Sequence, residues 1–215
     1  MLIEVYSDTV CPWCFVGKRR LERTLAMRPG LSVEVRWRPF QLNPDMPRQG
    51  MARDTYLALK FGGAARARQI HAMIARSGRE EGIDFEFDTV ARTPNTLDSH
   101  RLIRWAAAHG GEARVAEALF QAYFLDGVDI GDLRELGRIA RACGLDGPKV
   151  DAYLASDRDV DAVMAEDLRA RRMGIEGVPC FIIDGRYALA GAQEPEAFFP
   201  LLDLAAVTAT PLAAE

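Results

Sequence analysis

Two cysteines near the start of the chain, Cys11 and Cys14, are separated by Pro12 and Trp13 in the stretch DTVCPWCFVGK. Thiols at this spacing can form a redox pair, hold a metal ion or form a structural disulfide. In a redox pair, one thiolate attacks a disulfide and the second thiol resolves the mixed disulfide. The elements that flank the pair decide which of these chemistries is favoured.

The segment that follows the first cysteine has the pattern of an amphipathic helix over residues 12–27, ended by RPG. Pro12 would then occupy the first turn, where its missing N–H costs nothing, and Cys11 would sit at the helix N-terminus. Free amides and the helix dipole favour an anion there, so we expect Cys11 to be the exposed, attacking thiolate. We expect Cys14, one turn into the helix, to be more buried and to resolve the mixed disulfide.

A structural zinc site is the first alternative for the cysteine pair. Four ligands would be needed, and the sequence offers no second pair at a recognisable spacing. Cys143 and Cys180 stand alone, and the three histidines form no local cluster: His71, His100 and His109. We therefore expect no metal. Cys143 and Cys180 are expected to pack as small apolar residues, with the alternative that Cys180 lies near the redox pair.

The start of the chain predicts a strand, a helix and a second strand. Residues 1–6 are apolar, and LSVEVRW, residues 31–37, alternates apolar and polar side chains. A crossover of this kind usually returns the second strand parallel to the first, which gives a βαβ unit. We assign residues 1–40 to the first part of an α/β domain.

The middle of the chain predicts helices and little strand. Residues 41–155 hold several amphipathic stretches closed by glycine, which we interpret as an inserted helical subdomain. Residues 156–215 return to the first domain, with a helix capped by Ser156, a hairpin at PCFIIDGRYALAGA and a terminal helix. Pro200 is expected to kink that last helix or delay its start.

The amino-acid composition and the net charge disfavour some classes of binding partner. The 215 residues are 49% hydrophobic and carry a net charge of −4, which is typical of a soluble globular protein and argues against nucleic acid or an anionic membrane as a partner. Basic runs such as GKRRLER are expected to be solvated helix faces. No apolar run approaches the ~20 residues of a membrane span, and the start shows no secretory leader. We expect a cytoplasmic protein, where thiols stay reduced and a structural disulfide is disfavoured.

Three separated motifs, SDTVCPWCFVGK, NTLDSHRL and GVPCFIIDGRYALAGAQ, resemble the DsbA-type oxidoreductases of the thioredoxin superfamily, and among them the FrnE-like branch. The resemblance covers nearly the whole chain. It implies an α/β fold, a thioredoxin fold with a large inserted all-helical subdomain. It also implies a cis peptide bond before Pro179, next to the cysteine pair. Such a turn would leave the backbone of Val178 free to pair with an extended substrate.

The function that follows is a disulfide reductase or isomerase that acts through Cys11 and Cys14. Its partners would be protein or peptide thiols and disulfides; we expect no bound cofactor, with glutathione as a candidate redox partner. Glu4 or Asp8 could relay a proton to Cys14, and the sequence does not choose between them. The candidate substrate-binding residues are Pro12, Trp13, Val178, Pro179 and Asn95, the last of which could instead only cap a helix.

A second enzyme class shares the implied architecture. Kappa-type glutathione transferases and 2-hydroxychromene-2-carboxylate isomerases activate the sulfur of glutathione itself, typically with a serine at the position of Cys11. They do not need a second cysteine. The presence of Cys14 therefore favours a thiol-disulfide oxidoreductase. A glutathione transferase or isomerase of this class stays as the alternative.

Overall fold

The structure is a computed structural model and describes residues 1–209. The strands of the four-stranded sheet lie toward the two ends of the chain, with most of the helices between them. In order the elements are β1 (Leu2–Ser7), α1 (Pro12–Ala26), β2 (Glu34–Pro39), β3 (Met51–Ala52), α2 (Arg53–Phe61), α3 (Ala64–Glu80), β4 (Arg92–Thr93), α4 (Leu97–Ala107), α5 (Glu112–Phe124), α6 (Leu133–Ala142), α7 (Gly147–Leu154), α8 (Val160–Arg172), β5 (Cys180–Ile183), β6 (Tyr187–Ala190) and α9 (Pro195–Ala209).

The main sheet has the strand order β2-β1-β5-β6. β1 and β2 are parallel and are joined by α1, so the predicted βαβ unit is confirmed. β2 begins at Glu34, three residues later than the alternating pattern suggested. β5 pairs antiparallel with β1 and with β6. Asp184 and Gly185 form the predicted hairpin turn, and both have positive φ.

Each face of the sheet covers a separate apolar core. Successive side chains of a strand point to opposite faces, so Phe181 and Ile183 enter the larger core while Cys180 and Ile182 enter the smaller one. α1, α5 and α9 contribute to the larger core. β5 is therefore buried on both faces, which explains its unbroken apolar sequence.

The helical insert runs from α2 to α7 and also contains a feature that the sequence did not predict. β3 and β4 form a two-stranded antiparallel ladder in which Met51 pairs with Thr93. Each strand has two residues, too few for an alternating pattern to be visible. The ladder ties the start of α2 to the segment that leads into α4.

One predicted helix start is wrong. α8 begins at Val160 with Asp159 as its N-cap, rather than after Ser156. The Ser156 hydroxyl instead donates to the carbonyl of Tyr153, at the end of the preceding helix. α9 begins at Pro195 and runs through Pro200, so that proline does not delay the start. The last six residues of the predicted third segment lie outside the described residues. Within residues 1–209, no helix is both long and apolar enough to cross a membrane.

Candidate active site

The cysteine pair lies at the N-terminus of α1. Cys11 is the N-cap residue with an extended backbone, and Pro12 takes the first helical position, as predicted. The amide of Cys11 donates to the carbonyl of Asp8 at 3.0 Å, and the amide of Cys14 donates to the carbonyl of Cys11 at 3.0 Å. These bonds hold the first sulfur at the positive end of the helix and the second one turn inside it.

Both cysteines are buried, which contradicts the expectation of an exposed Cys11. Cys11 is 4% exposed and Cys14 is 1% exposed. The Sγ of Cys11 lies 3.5 Å from the carbonyl oxygen of Val178, so the loop before β5 covers it. A sequence pattern places a residue on its own helix but does not show which distant loop packs over it.

The two thiols differ in their electrostatic environment. The pKa of Cys14 is raised well above its ordinary value, first by burial and then by a hydrogen bond and charge repulsion from Cys11. The hydroxyl of Ser7 and the amide of Asp8 act in the opposite direction, because hydrogen bonds to a thiolate stabilise it. Burial is the dominant cause, so Cys14 holds its proton in the reduced state.

The Val178–Pro179 peptide bond is cis, as the resemblance implied. Pro179 packs directly against α1 at Gly17, one turn beyond Cys14. A Cβ at Gly17 would lie 2.8 Å from Cγ of Pro179, a distance that real contacts do not allow. Gly17 is therefore required for the close approach of the loop. Gly17 follows Cys14 by one helical turn in the sequence, but this spacing alone does not predict that Pro179 packs against it.

Of the two acidic candidates, Asp8 is the one next to the pair. Its carboxylate is fully buried, 3.2 Å from Nε2 of His100, and it accepts a hydrogen bond from the amide of Leu42 at 2.7 Å. Glu4 lies further back on the strand and pairs with Arg38. The carboxylate of Asp8 thus fastens the turn before Cys11 to the helical insert.

Asn95 joins the loop at Met46 to the start of α4. Its amide nitrogen donates to the carbonyl of Met46 at 2.6 Å, and its amide oxygen accepts from the amide of Leu97 at 2.9 Å. Asn95 thus makes the capping bond, although Thr96 is the N-cap residue of α4. Its role as a substrate contact remains a prediction.

The comparison with known proteins identifies the family. Residues 2–202 match the DsbA-like thioredoxin domain. The chain belongs to the DsbA-like family. The fold class predicted from the sequence, a thioredoxin fold with a helical insert, is thereby confirmed.

Two relatives resemble this DsbA-like protein along most of their length. The uncharacterized protein YwbO of Bacillus subtilis (strain 168) is 30% identical over 199 residues, which cover 91% of this chain and 92% of YwbO. A probable DsbA oxidoreductase from Streptomyces coelicolor is 33% identical with a TM-score of 0.88, and the match covers 100% of this chain and 94% of that one.

Two more distant structures share the fold alone. The cytosolic disulfide reductase DsbM from Pseudomonas aeruginosa, solved with GSH, has a TM-score of 0.68 at 16% identity, covering 95% of this chain and 98% of that one. A 2-hydroxychromene-2-carboxylate isomerase has a TM-score of 0.70 at 17% identity, covering 97% and 95%.

Helix α2 brings further groups toward the DsbA-like site that sequence reasoning missed. The pKa of Tyr56 is raised, first by burial, and the charges of Asp8 and Cys11 add to the effect. Asn43 donates to the Tyr56 hydroxyl at 3.4 Å, and the guanidinium of Arg53 lies 5.5 Å from the ring centroid. Nothing in the local pattern of α2 shows this position, because it depends on how the insert folds back.

Two cavities flank the DsbA-like site. One, of about 360 Å³, is mainly apolar and lies between residues 42–47 and α2, with Tyr56 in its wall. The other, of about 580 Å³, lies between β2, α4 and α5, and its buried polar residues are Ser7, Thr9 and His100. Within residues 1–209, no group of three or more His, Cys, Asp or Glu side chains could hold a metal ion.

The other two cysteines of the DsbA-like chain are packed away from the pair. Cys180 belongs to the smaller core, where it faces Tyr6 across the ladder, whereas Cys11 and Cys14 belong to the larger core on the other face. Cys143 contacts the carbonyl of Arg114 at the end of α6. Burial raises the pKa of both Cys180 and Cys143. Both therefore act as small apolar residues in the structure.

Proposed function

We propose that this DsbA-like protein is a thiol-disulfide oxidoreductase that works as a reductase or isomerase through Cys11 and Cys14. The observation that carries the proposal is the asymmetry of the pair. Cys11 lies at a helix N-terminus in contact with Val178, and Cys14 lies one turn inside with a raised pKa. A nucleophilic thiolate followed by a protonated resolving thiol is the arrangement that thiol-disulfide exchange needs.

The cycle begins when the Cys11 thiolate attacks a substrate disulfide. An S–S bond forms between Cys11 and one substrate sulfur, and the other substrate sulfur leaves as a thiolate. Cys14 then loses its proton and attacks Cys11, which releases the second substrate sulfur and leaves a disulfide between Cys11 and Cys14. The substrate has gained two electrons, and two molecules of a thiol such as glutathione restore the reduced pair by the reverse exchange and leave as their own disulfide.

The proposed substrate segment lies along the loop that covers Cys11. Val178 is half-buried, and its carbonyl oxygen is 3.5 Å from the reactive sulfur, so a peptide attached to that sulfur would meet this backbone first. Trp13 is half-buried beside the pair and offers an aromatic surface. Pro12, Pro179 and Asn95 complete the proposed contact surface.

We propose a cytoplasmic location and a glutathione-linked cycle, with protein or peptide disulfides as substrates. The support comes from a solved structure with the same fold. DsbM of Pseudomonas aeruginosa, which has the same fold, is a cytosolic disulfide reductase and was solved with GSH.

The second candidate is an enzyme that activates glutathione as a nucleophile toward an aromatic substrate. The observation that favours it is the similar fold of the 2-hydroxychromene-2-carboxylate isomerase. Such a reaction has no step for Cys14. The two candidates therefore differ in whether the second cysteine matters.

Insulin reduction with glutathione as donor tests the proposal. We expect Cys11→Ser to lose all activity, because no nucleophile remains. Cys14→Ser should accumulate a mixed disulfide between Cys11 and glutathione, detected by mass spectrometry. Cys143→Ser, the control, should keep the wild-type rate.

Activity that survives Cys11→Ser would contradict the proposal. So would wild-type protein that reduces no disulfide but isomerises or conjugates an aromatic substrate with glutathione. The equilibrium of the pair with glutathione then separates the two roles. A potential near about −270 mV favours a reductase and one near about −180 mV an isomerase.

A further inference from the structure

The turn that leads from β1 into Cys11 is fastened to the helical insert by two successive residues of α4. Within the turn, the amide of Cys11 donates to the carbonyl of Asp8 at 3.0 Å. The carboxylate of Asp8 lies 3.2 Å from Nε2 of His100, and the hydroxyl of Thr9 lies 2.7 Å from that of Ser99. The side chains of the turn are therefore held from α4.

The contact between His100 and Asp8 lies in the protein interior. Asp8 is fully buried, and His100 is 4% exposed. A carboxylate only accepts hydrogen bonds, so Nε2 of His100 is the donor. The other carboxylate oxygen of Asp8 accepts from the amide of Leu42 at 2.7 Å. Loss of a donor to a buried charged group is costly, so this pair of contacts favours one orientation of Asp8.

The position of the Cys11 sulfur depends on the same turn. Cys11 is the N-cap residue of α1, and the effect of the helix dipole falls off within the first turn of a helix. On its other side, the sulfur lies 3.5 Å from the carbonyl oxygen of Val178. A reacting group that is displaced by about 1 Å can lose about 100-fold in rate. Whatever holds the turn therefore affects how fast Cys11 attacks.

We propose that His100 is a positioning residue for Cys11. The inference rests on the proposed redox function. The imidazole of His100 holds the carboxylate of Asp8, and the carbonyl of Asp8 holds the amide of Cys11. The sulfur of Cys11 thereby stays at the positive end of α1, in the place from which it attacks a disulfide. His100 itself makes and breaks no bond in the reaction.

The reaction of the reduced protein with excess dithiobis(nitrobenzoate) measures the attack by Cys11. The Cys11 thiolate forms a mixed disulfide with one half of the reagent and releases the other half as thionitrobenzoate, at a rate that scales with reagent concentration. Cys14 then attacks the mixed disulfide, forms the disulfide with Cys11 and releases the second thionitrobenzoate in a phase that does not scale. We expect His100→Ala to slow the first phase by about tenfold or more.

Two amide variants separate the hydrogen bond from the bulk of the side chain. His100→Gln should restore the first phase to within about twofold of the wild-type rate, because its amide nitrogen can take the place of Nε2. His100→Asn is one methylene shorter and should react as slowly as His100→Ala. This pair keeps a polar side chain at the position and decides the question even if His100→Ala does not fold.

A double-mutant cycle tests whether His100 acts through Asp8. Asp8→Ala should itself slow the first phase, and the addition of His100→Ala should then change the rate by less than about twofold. If His100→Ala slows the first phase by the same factor with and without Asp8, the inference is overturned, because His100 would then act by another route.

His71→Ala is the matched control. It removes an imidazole from α3 of the same insert, where the ring contacts Phe87 and Arg53 rather than the turn. It should leave the first phase unchanged, and urea unfolding shows which variants are folded in the assay. A wild-type rate in His100→Ala, or a His100→Gln variant as slow as His100→Asn, would overturn the inference. Failure of the proposed function looks different, since the wild type would then lack one of the two phases.

Discussion

Cys11 and Cys14 have the same side chain. The three positions that separate them along the chain give the two thiols different chemistry. Cys11 precedes the first helical turn and therefore lies at the positive end of the α1 dipole. Cys14 lies one turn inside, where burial raises its pKa and keeps its proton. Pro12 allows this arrangement because it starts a helix without leaving an amide unpaired.

His71 is a second residue whose chemistry is set by its surroundings. Its ring stacks on Phe87 at 4.2 Å, and its Nε2 lies 3.4 Å from the guanidinium of Arg53. Burial first, and then Arg53, lower the pKa of His71 to about 4. An unfolded histidine titrates near 6.5, so below that pH the unfolded chain binds a proton that the folded chain refuses. The free energy of unfolding should therefore fall as the pH drops from about 6.5 toward 4.

His71→Phe should remove this dependence and keep the aromatic stack. We expect the loss of unfolding free energy between about pH 7 and pH 5 to be smaller in the variant by roughly 1 kcal/mol, a figure reduced for the partial exposure of the ring. Urea unfolding at the two pH values measures it. Equal losses in wild type and variant would show that His71 titrates normally.

Whether a feature of a few residues could be predicted depends on how far apart those residues lie in the sequence. The roles of Cys11, Pro12 and Cys14 in the helix start follow from four consecutive residues. The contact between Asp8 and His100 spans 92 positions and depends on how the insert packs against β1. No local pattern contains that information.

At the scale of elements, α1 departs from its prediction in one respect. The basic run GKRRLER was expected to be a solvated helix face, yet the side chains of Lys18 and Arg20 are 5% and 8% exposed. Lys18 pairs with Glu117 at 2.7 Å, and Arg20 pairs with Glu81 at 2.9 Å. The partners lie on other elements, so charge alone did not show that this face packs against the insert.

Glu81 is the acid on which this contact depends most. It is 4% exposed and also accepts from Arg23 at 3.0 Å. Without Glu81, the buried Arg20 would keep only the exposed Glu194 as its ion-pair partner, and removal of one partner from a buried ion pair typically costs about 3–5 kcal/mol. We expect Glu81→Ala to lower the free energy of unfolding by roughly 3 kcal/mol in urea titrations.

Glu34→Ala provides the control for this element. It removes the same side chain from a pair with Arg36 whose members are 60% and 51% exposed. Surface pairs of this kind contribute little to stability, because water screens both charges. If Glu81→Ala and Glu34→Ala lower the free energy of unfolding by the same amount, the buried pair between α1 and Glu81 stabilises the protein no more than an exposed pair does.

For the whole molecule, the sequence predicted the order of strands and helices better than the places where separate segments meet. The parallel pair of β1 and β2, the helical insert and the terminal hairpin all follow from local periodicity and turns. The ladder of β3 and β4 and the start of α8 at Val160 do not, because they are fixed where separate segments meet. The two cavities lie at such junctions as well, and so do Ser7 and Tyr56.

Alkaline pH should destabilise the whole molecule, because burial raises the pKa of several of its tyrosine and cysteine side chains. Burial raises the pKa of Tyr123 to about 12, and it also raises the pKa of other tyrosines and cysteines: Tyr6, Tyr56, Tyr153, Cys14, Cys143 and Cys180. Unfolded tyrosine ionises near 10 and cysteine near 8.5, so above those values the unfolded chain loses protons that the folded chain keeps. Stability is fully present below them and declines as the pH rises.

Tyr123 isolates one contribution to this decline. Its shift corresponds to about 1 kcal/mol of unfolding free energy lost between about pH 8 and pH 11. Tyr123→Phe should lose that much less than wild type when the reduced proteins are unfolded in urea at both pH values. Tyr187→Phe is the control, since its ring lies at the edge strand β6 and is half-buried. A decline of the same size in all three proteins would mean that Tyr123 ionises in the folded state as readily as in the unfolded one, which its complete burial against Phe124 argues against.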